Sequence, residues 1–181
     1  MFLDDLDGDT KLLLLAVRGV KVDDPKSFIT NLRKEVPASF LQAIDARFVA
    51  GREHTKLIVQ QSWTASKRRV LIVKFDLDIP LRLACDSRIE NALETVGLRS
   101  GTMDVVFIAV GHQDTLNRLS IHLATLGKVS DSLLRLTSSK EKFLKKHHNI
   151  SDLNLRSTVL KGDALPYILA DKAAIEMSSK R

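Results

Sequence analysis

Hydrophobic and polar positions along this 181-residue chain follow two rhythms, one of period two and one near 3.6, and their order predicts the elements. Lys11–Val20, rich in Leu and Val, reads as a first strand. Asp24-Pro25 reads as a helix start, with Asp24 capping free N–H groups and Pro25 at the first helical position. That helix covers Pro25–Glu35, buries Phe28 and Leu32, and is stopped by Pro37. Phe40–Ile44 and Arg47–Val49 are short apolar pieces around a turn at Asp45-Ala46. A helix is predicted from Arg52 to Ala65, with Leu57, Ile58 and Gln61 inward, followed by the basic triplet Lys67-Arg68-Arg69. In Val70–Leu83 the apolar residues Phe75, Leu77, Ile79, Leu81 and Leu83 alternate with Asp76, Asp78, Pro80 and Arg82. Period two predicts a half-buried strand, and Pro80 an edge or a bulge.

Ser87-x-x-Glu90 has the form of a capping box, and Gly97 stands where a left-handed C-cap belongs, which brackets a helix. Asp104–Val110 is a β-rich run, and Thr115–Leu126 places Leu116, Leu119, Leu123 and Leu126 on one helical stripe ended by Gly127. Val129–Leu136 reads as a strand. Ser138-x-x-Glu141, a second capping box, opens a basic helix through His147; a short helix follows Asn149-Ile150-Ser151, and a last one runs from Asp163 to Met177. The order predicts an α/β chain of the α+β type: a single mixed, largely antiparallel sheet packed with helices, and a helical C-terminal third. Residues 1–10 are expected to be an acidic, frayed start, and residues 11–181 a single domain.

Composition adds limits. The hydrophobic share of 44% supports a real core, while 28% charged residues exclude a membrane protein. The run Leu12–Val17 is far shorter than the ~20 residues a membrane helix needs. A lone cysteine excludes a disulfide framework, and the N-terminus MFLDDLDGD lacks the basic region of a signal peptide, so a compact intracellular protein is expected. A formal charge of +6 allows nucleic acid, an acidic protein surface or no special partner.

Signatures of catalysis are scarce. The chain has no G-x-G-x-x-G, no Walker phosphate loop and no G-x-S-x-G. His147-His148 are adjacent, so on a helix their rings diverge by about 100° and do not share a metal easily. Cys85 reads as core filler, and Asp76 and Asp78 as the solvent face of the proposed strand; together they are the candidates of a rival reading, a small enzyme. Arg52, Lys56, Lys67, Arg68 and Arg69 lie on one helix and the loop leaving it, where they could converge on an edge that meets phosphate, with His54 beside them. Lys140, Lys142, Lys145 and Lys146 form a second basic group. On the last helix Leu165, Ile168, Leu169, Lys172 and Ile175 recur at three- and four-residue spacing, which is either core or a surface offered to a partner.

Four stretches, taken in order, carry a family resemblance: IDARFVAGREHTKLIV; DSRIENALETVGL with MDVVFIAVG; LGKVSDSLLRLTSSKEKFLKK; and NISDLNL with LADKAAIEMSSK. The chain resembles the small kinase-binding subunit of the KEOPS/EKC complex, the p53-related-kinase-binding protein family. The resemblance implies a non-catalytic α/β adaptor, without metal or cofactor, whose closing helices dock the N-terminal lobe of the complex's small atypical Bud-type kinase. Other subunits of the complex are met indirectly. It also implies a part in making N6-threonylcarbamoyladenosine in tRNA, by helping to recruit tRNA through its 3′ CCA end. A cytoplasmic and nuclear location and a link to telomere maintenance come with it. Carried over by position, the kinase contact falls on Leu165, Ile168, Leu169, Lys172 and Ile175, and the RNA contact on the Arg52–Lys56 region with Lys67–Arg69. A free-standing RNA-binding module is the alternative.

Overall fold

The computed structural model describes residues 1–35, 40–71, 73–156 and 164–179. Its centre is an antiparallel sheet of β1 (Phe2–Asp7), β2 (Thr10–Val22), β3 (Phe40–Asp45), β4 (Gly101–His112) and β5 (Lys128–Val129). The strand order is β1-β2-β4-β3, with β5 pairing β2 at Val17 and Arg18. Every pairing described is antiparallel, so the sheet is not mixed. Both faces of β2 are covered, which is why its sequence is a continuous Leu run rather than an alternation. Leu12, Leu14 and Ala16 join one core, and Leu13, Leu15 and Val17 the other.

The first face carries α2 (Arg52–Lys67), α3 (Phe75–Ala84), α6 (Ser138–His147) and α8 (Leu165–Ser179). The second carries α1 (Pro25–Glu35) and α5 (Gln113–Ala124), which buries Leu116, Leu119 and Leu123 as its stripe predicts. Asp24 accepts the Ser27 N–H at 2.7 Å, so the α1 cap forms as expected. The short helix expected after Ser151 is α7 (Asp152–Arg156); Pro37 lies outside the described residues, as does Asp163, and α8 is described from Leu165. Among the described residues no helix is long and apolar enough to cross a membrane.

Several expectations are corrected. The acidic start is not frayed: β1 pairs β2 in register Phe2↔Leu14 to Asp7↔Thr10, turning at Gly8, whose φ of 54° favours glycine. Phe2 and Leu6 pack on the first core and Leu3 on the second. Within the stretch read as a strand, Val70–Leu83, Ile72 lies outside the described residues, and the residues from Phe75 onward form helix α3. Its period-two apolar pattern also satisfies i, i+4, i+8, and Phe75, Ile79 and Leu83 enter the core on that spacing. The polar positions between them are neutralised locally. Asp78 pairs with Arg82 one turn on at 2.5 Å, and Asp76 pairs with Arg33 of α1 at 2.5 Å. Pro80 sits inside α3, where its missing N–H frees the Asp76 carbonyl; Gln42 of β3 donates its Nε2–H to that oxygen at 3.0 Å.

Neither capping box forms. Arg88 is the N-cap of α4 (Ile89–Val96), with its N–H donated to Asp86, and Thr137 rather than Ser138 caps α6. Gly97 ends α4 with φ −77°, not left-handed, and glycine is required because a Cβ there would collide with the Leu93 carbonyl. Val129–Leu136 is not a strand beyond β5 but contains a 3-10 turn at Asp131–Leu134.

Candidate functional site: the outer face of α2 and the C-terminal helix

Helix α2 is two-faced, and the two faces separate the predicted basic residues. His54, Ile58, Ser62 and Ala65 point inward. Arg52, Lys56, Trp63 and Lys67 recur at steps of four, seven and four, which keeps them on one outer stripe. His54 therefore leaves the RNA-facing set: it is 1% exposed, and its Nδ1 accepts the Ala50 N–H at 3.2 Å. Burial, with Lys140 and His148 nearby, pushes its pKa down to about 3, so it meets the core as a neutral ring. Its buried Nε2 has no partner among the described residues.

The outer stripe faces β1. The Arg52 guanidinium pairs with Asp4 and lies over the Phe2 ring, 4.4 Å from its centroid. Fifteen residues further along, Lys67 pairs with Asp7 at 3.0 Å and lies 5.2 Å from the Trp63 centroid. Trp63 adds its indole N–H to the same Asp7 carboxylate at 3.4 Å. Hydrogen bonds from Lys67 and then Trp63 hold the Asp7 carboxyl below the usual carboxylate range. Asp7 can reach this face because the pairing of β1 with β2 shifts register between Asp5 and Asp7, and such a bulge re-aims the side chain that follows it.

Three cations of the predicted set stay uncompensated. Lys56 is half-buried, Arg68 and Arg69 are exposed, and none has an ion-pair partner among the described residues. The second basic group is dispersed. Lys140 turns inward to the Leu133 carbonyl at 2.6 Å, and burial lowers its pKa to about 8. Lys145 pairs with Asp152 and Glu141, leaving Lys142 and Lys146 exposed. His147 stacks on Phe143, while His148 caps α6 from a buried position that lowers its pKa to about 4.

On α8 the five predicted interface residues also divide. Leu165 and Leu169 are 2% and 1% exposed and belong to this chain's own core. Ile168 is half-buried against the same core. Lys172 is exposed and donates its ammonium to the His148 carbonyl at 2.5 Å. Of the four apolar residues in the set, Ile175, 70% exposed, is the one that projects into solvent, with Tyr167 partly exposed a little over two turns before it. Between α2 and α8 runs a cleft of about 490 Å³, lined by Leu57, Gln61, Arg68, Ala174 and Met177.

The residues of the rival enzymatic reading are not brought together. Asp76 and Asp78 are each held in a separate ion pair. Cys85 is half-buried at the C-cap of α3, and burial pushes its thiol up to about 11, against the thiolate a nucleophile needs. Among the described residues no group of three or more His, Cys, Asp or Glu could hold a metal. What sequence reading missed is the role of β1 and Trp63. The register shift that turns Asp7 toward α2 leaves no sequence signal, although the acid-rich start opposite a basic stripe is a usable hint. The fold defines an α+β protein with a solvent-facing apolar position on its closing helix. No protein-family model matches the chain, and no curated protein matches it.

Proposed function

We propose that this chain is a non-catalytic adaptor of the KEOPS/EKC type, which docks a small atypical kinase through its C-terminal helix and assists tRNA docking through the outer edge of α2. The observation that carries the reading is the division of α8. One side buries Leu165, Leu169, Ala170, Ala173 and Met177, and Ile175 still projects 70% exposed from another. A terminal helix already fixed by its own core presents such a side chain without an ordering penalty on binding. Arg68, which lines the cleft between α2 and α8, supplies a cation for the tRNA backbone, and Arg69 and Lys56 add two more along the same segment. Recruitment of this kind acts by raising the effective concentration of tRNA at a partner's active site.

The test is size-exclusion co-elution of the full chain with the Bud-type small kinase of its own organism. The wild type is expected to co-elute, and Ile175→Glu to elute alone with an unchanged far-UV CD spectrum. Co-elution that survives I175E, or no complex with the wild type, overturns the docking assignment. The second reading, a free-standing RNA module, rests on the uncompensated Arg68 and Arg69. It gains if the chain binds tRNA while showing no affinity for the kinase.

A further inference from the structure

Two cations on the outer face of α2 are already engaged by carboxylates of the chain itself. Arg52 holds Asp4, and Lys67 together with Trp63 holds Asp7. Both acids come from β1, where Asp5 pairs instead with Lys11 and Asp9 lies in the turn to β2. A carboxylate and a phosphate accept hydrogen bonds from the same donors in the same charge-assisted way. We propose that Asp4 and Asp7 occupy the positions that RNA phosphates take on Arg52 and Lys67, so that RNA binds this edge fully only by displacing the two carboxylates. The inference rests on the reading above that RNA docks along α2, and it names the regulation of that site.

The two latches differ. Asp4 has a side chain only 12% exposed, and its partner is also covered by the Phe2 ring. Asp7 and Lys67 are 52% and 61% exposed, so solvent and a competing phosphate reach that pair directly. Displacement therefore begins at Lys67, beside the exposed Arg68 and Arg69, and proceeds toward Arg52. β1 itself stays seated, because Phe2, Leu3 and Leu6 anchor it in the two cores. The device is a side-chain exchange rather than an opening of the sheet.

The test compares the full-length wild type, Asp4→Asn/Asp7→Asn and a control, Asp5→Asn/Asp9→Asn, that changes the net charge equally from the same hairpin. Each is titrated with an unmodified tRNA transcript and, separately, with inorganic polyphosphate, and affinity is read by fluorescence anisotropy. Emission of Trp63, the only tryptophan, reports the loss of its contact with Asp7. D4N/D7N is expected to bind tRNA roughly tenfold more tightly than the control, since two surface ion pairs no longer compete. Trp63 emission of the wild type is expected to move on tRNA binding toward that of free D4N/D7N. Equal tightening in both double variants reflects bulk charge alone and overturns the proposal. If none of the three binds tRNA, the RNA reading fails; polyphosphate then decides the exchange, which stands if D4N/D7N binds it more tightly than the control and falls if the two are equal. Should losing Asp4 loosen β1, as thermal melting would reveal, Asp7→Asn against Asp9→Asn makes the same comparison at the exposed end.

Discussion

Removal of the Arg82 side-chain charge is expected to be among the most damaging single changes in this fold. Arg82 and Asp78 are both 4% exposed and bonded to each other through Nε–H and Oδ2 at 2.5 Å. Arg82 also donates to the Gln61 amide oxygen at 3.3 Å, and Gln61 in turn donates to the Ala170 carbonyl at 3.0 Å. The pair thus links α3 to α2 and, one bond further, to α8. Arg82→Met keeps much of the volume but strands the Asp78 carboxylate in the core, and breaking a buried pair in this way costs about 3–5 kcal/mol. A domain of this size has roughly 5–15 kcal/mol in all, so the loss is a large fraction of its stability. Asp78→Leu/Arg82→Met removes both charges and is expected to recover most of the loss, because the desolvation penalty of the pair disappears along with its attraction. Urea unfolding followed by Trp63 emission and by far-UV CD measures both variants. The reasoning is refuted if R82M is as stable as the wild type, or if the double variant is no more stable than R82M.

The carbonyl freed by Pro80 offers a second test. Gln42→Leu leaves the Asp76 oxygen without its donor and is expected to destabilise by about 1–3 kcal/mol in urea unfolding. Adding Pro80→Ala restores a backbone N–H and should return part of that loss; an additive or larger loss in the double variant would show that the two are not coupled. The buried histidines set a pH dependence. His54 and His148 have folded pKa values of about 3 and 4, below their ordinary value of 6.5. The unfolded chain therefore binds protons that the folded chain refuses, so the stability these two rings carry is full well above pH 6.5 and is lost as the pH falls through 6.5 toward about 4 for His148 and about 3 for His54. The slope there is about 1.4 kcal/mol per pH unit for each histidine. His54→Asn, whose carboxamide oxygen can still accept the Ala50 N–H, is expected to flatten the urea midpoint against pH by about half in that window. An unchanged slope would show that His54 titrates normally.

Much of the fold is legible in the sequence, and its failures have specific causes. β2 and β4 are read from continuous apolar runs, and α1 and α5 from caps and stripes that the structure reproduces. α3 is misread because Phe-Asp-Leu-Asp-Ile-Pro-Leu-Arg-Leu satisfies both periods at once. The arbitration comes from tertiary partners: Gln42 for the carbonyl that Pro80 strands, and Arg33 and Arg82 for the acids. Both capping boxes fail for a local reason: Ser87 lies one residue before the α4 N-cap Arg88, whose N–H goes to Asp86, and Ser138 lies one residue after the α6 N-cap Thr137, whose hydroxyl accepts the Lys140 N–H. β1 is missed because four acids in nine residues resemble a solvated tail. The counter-ions of Asp4 and Asp7, Arg52 and Lys67, come from a helix far along the chain, whereas Asp5 has its partner, Lys11, within the hairpin.

The candidate site repeats that lesson at the level of single side chains. Arg52, His54 and Lys56 are near neighbours in sequence and read as one basic cluster. On a helix, however, a step of two residues rotates by about 200°, so His54 enters the core while its neighbours stay out. The same geometry splits α8, where Leu165 and Leu169 hold the helix down and Ile175 projects from it. These inward residues still bear on the proposed site. By fixing the helices they set where Ile175, Arg68 and Arg69 stand. On the proposed docking, a substitution at Leu169 is expected to weaken partner binding only by unfolding the helix, and one at Ile175 to weaken it with the fold intact. Charge follows the same logic on α2: the +6 of the whole chain is a poor guide to where cations stand free of the chain's own acids among the described residues. Arg52 and Lys67 face acids from β1, so the attraction for an anion is concentrated at the Arg68-Arg69 end, beside the helix that carries Ile175.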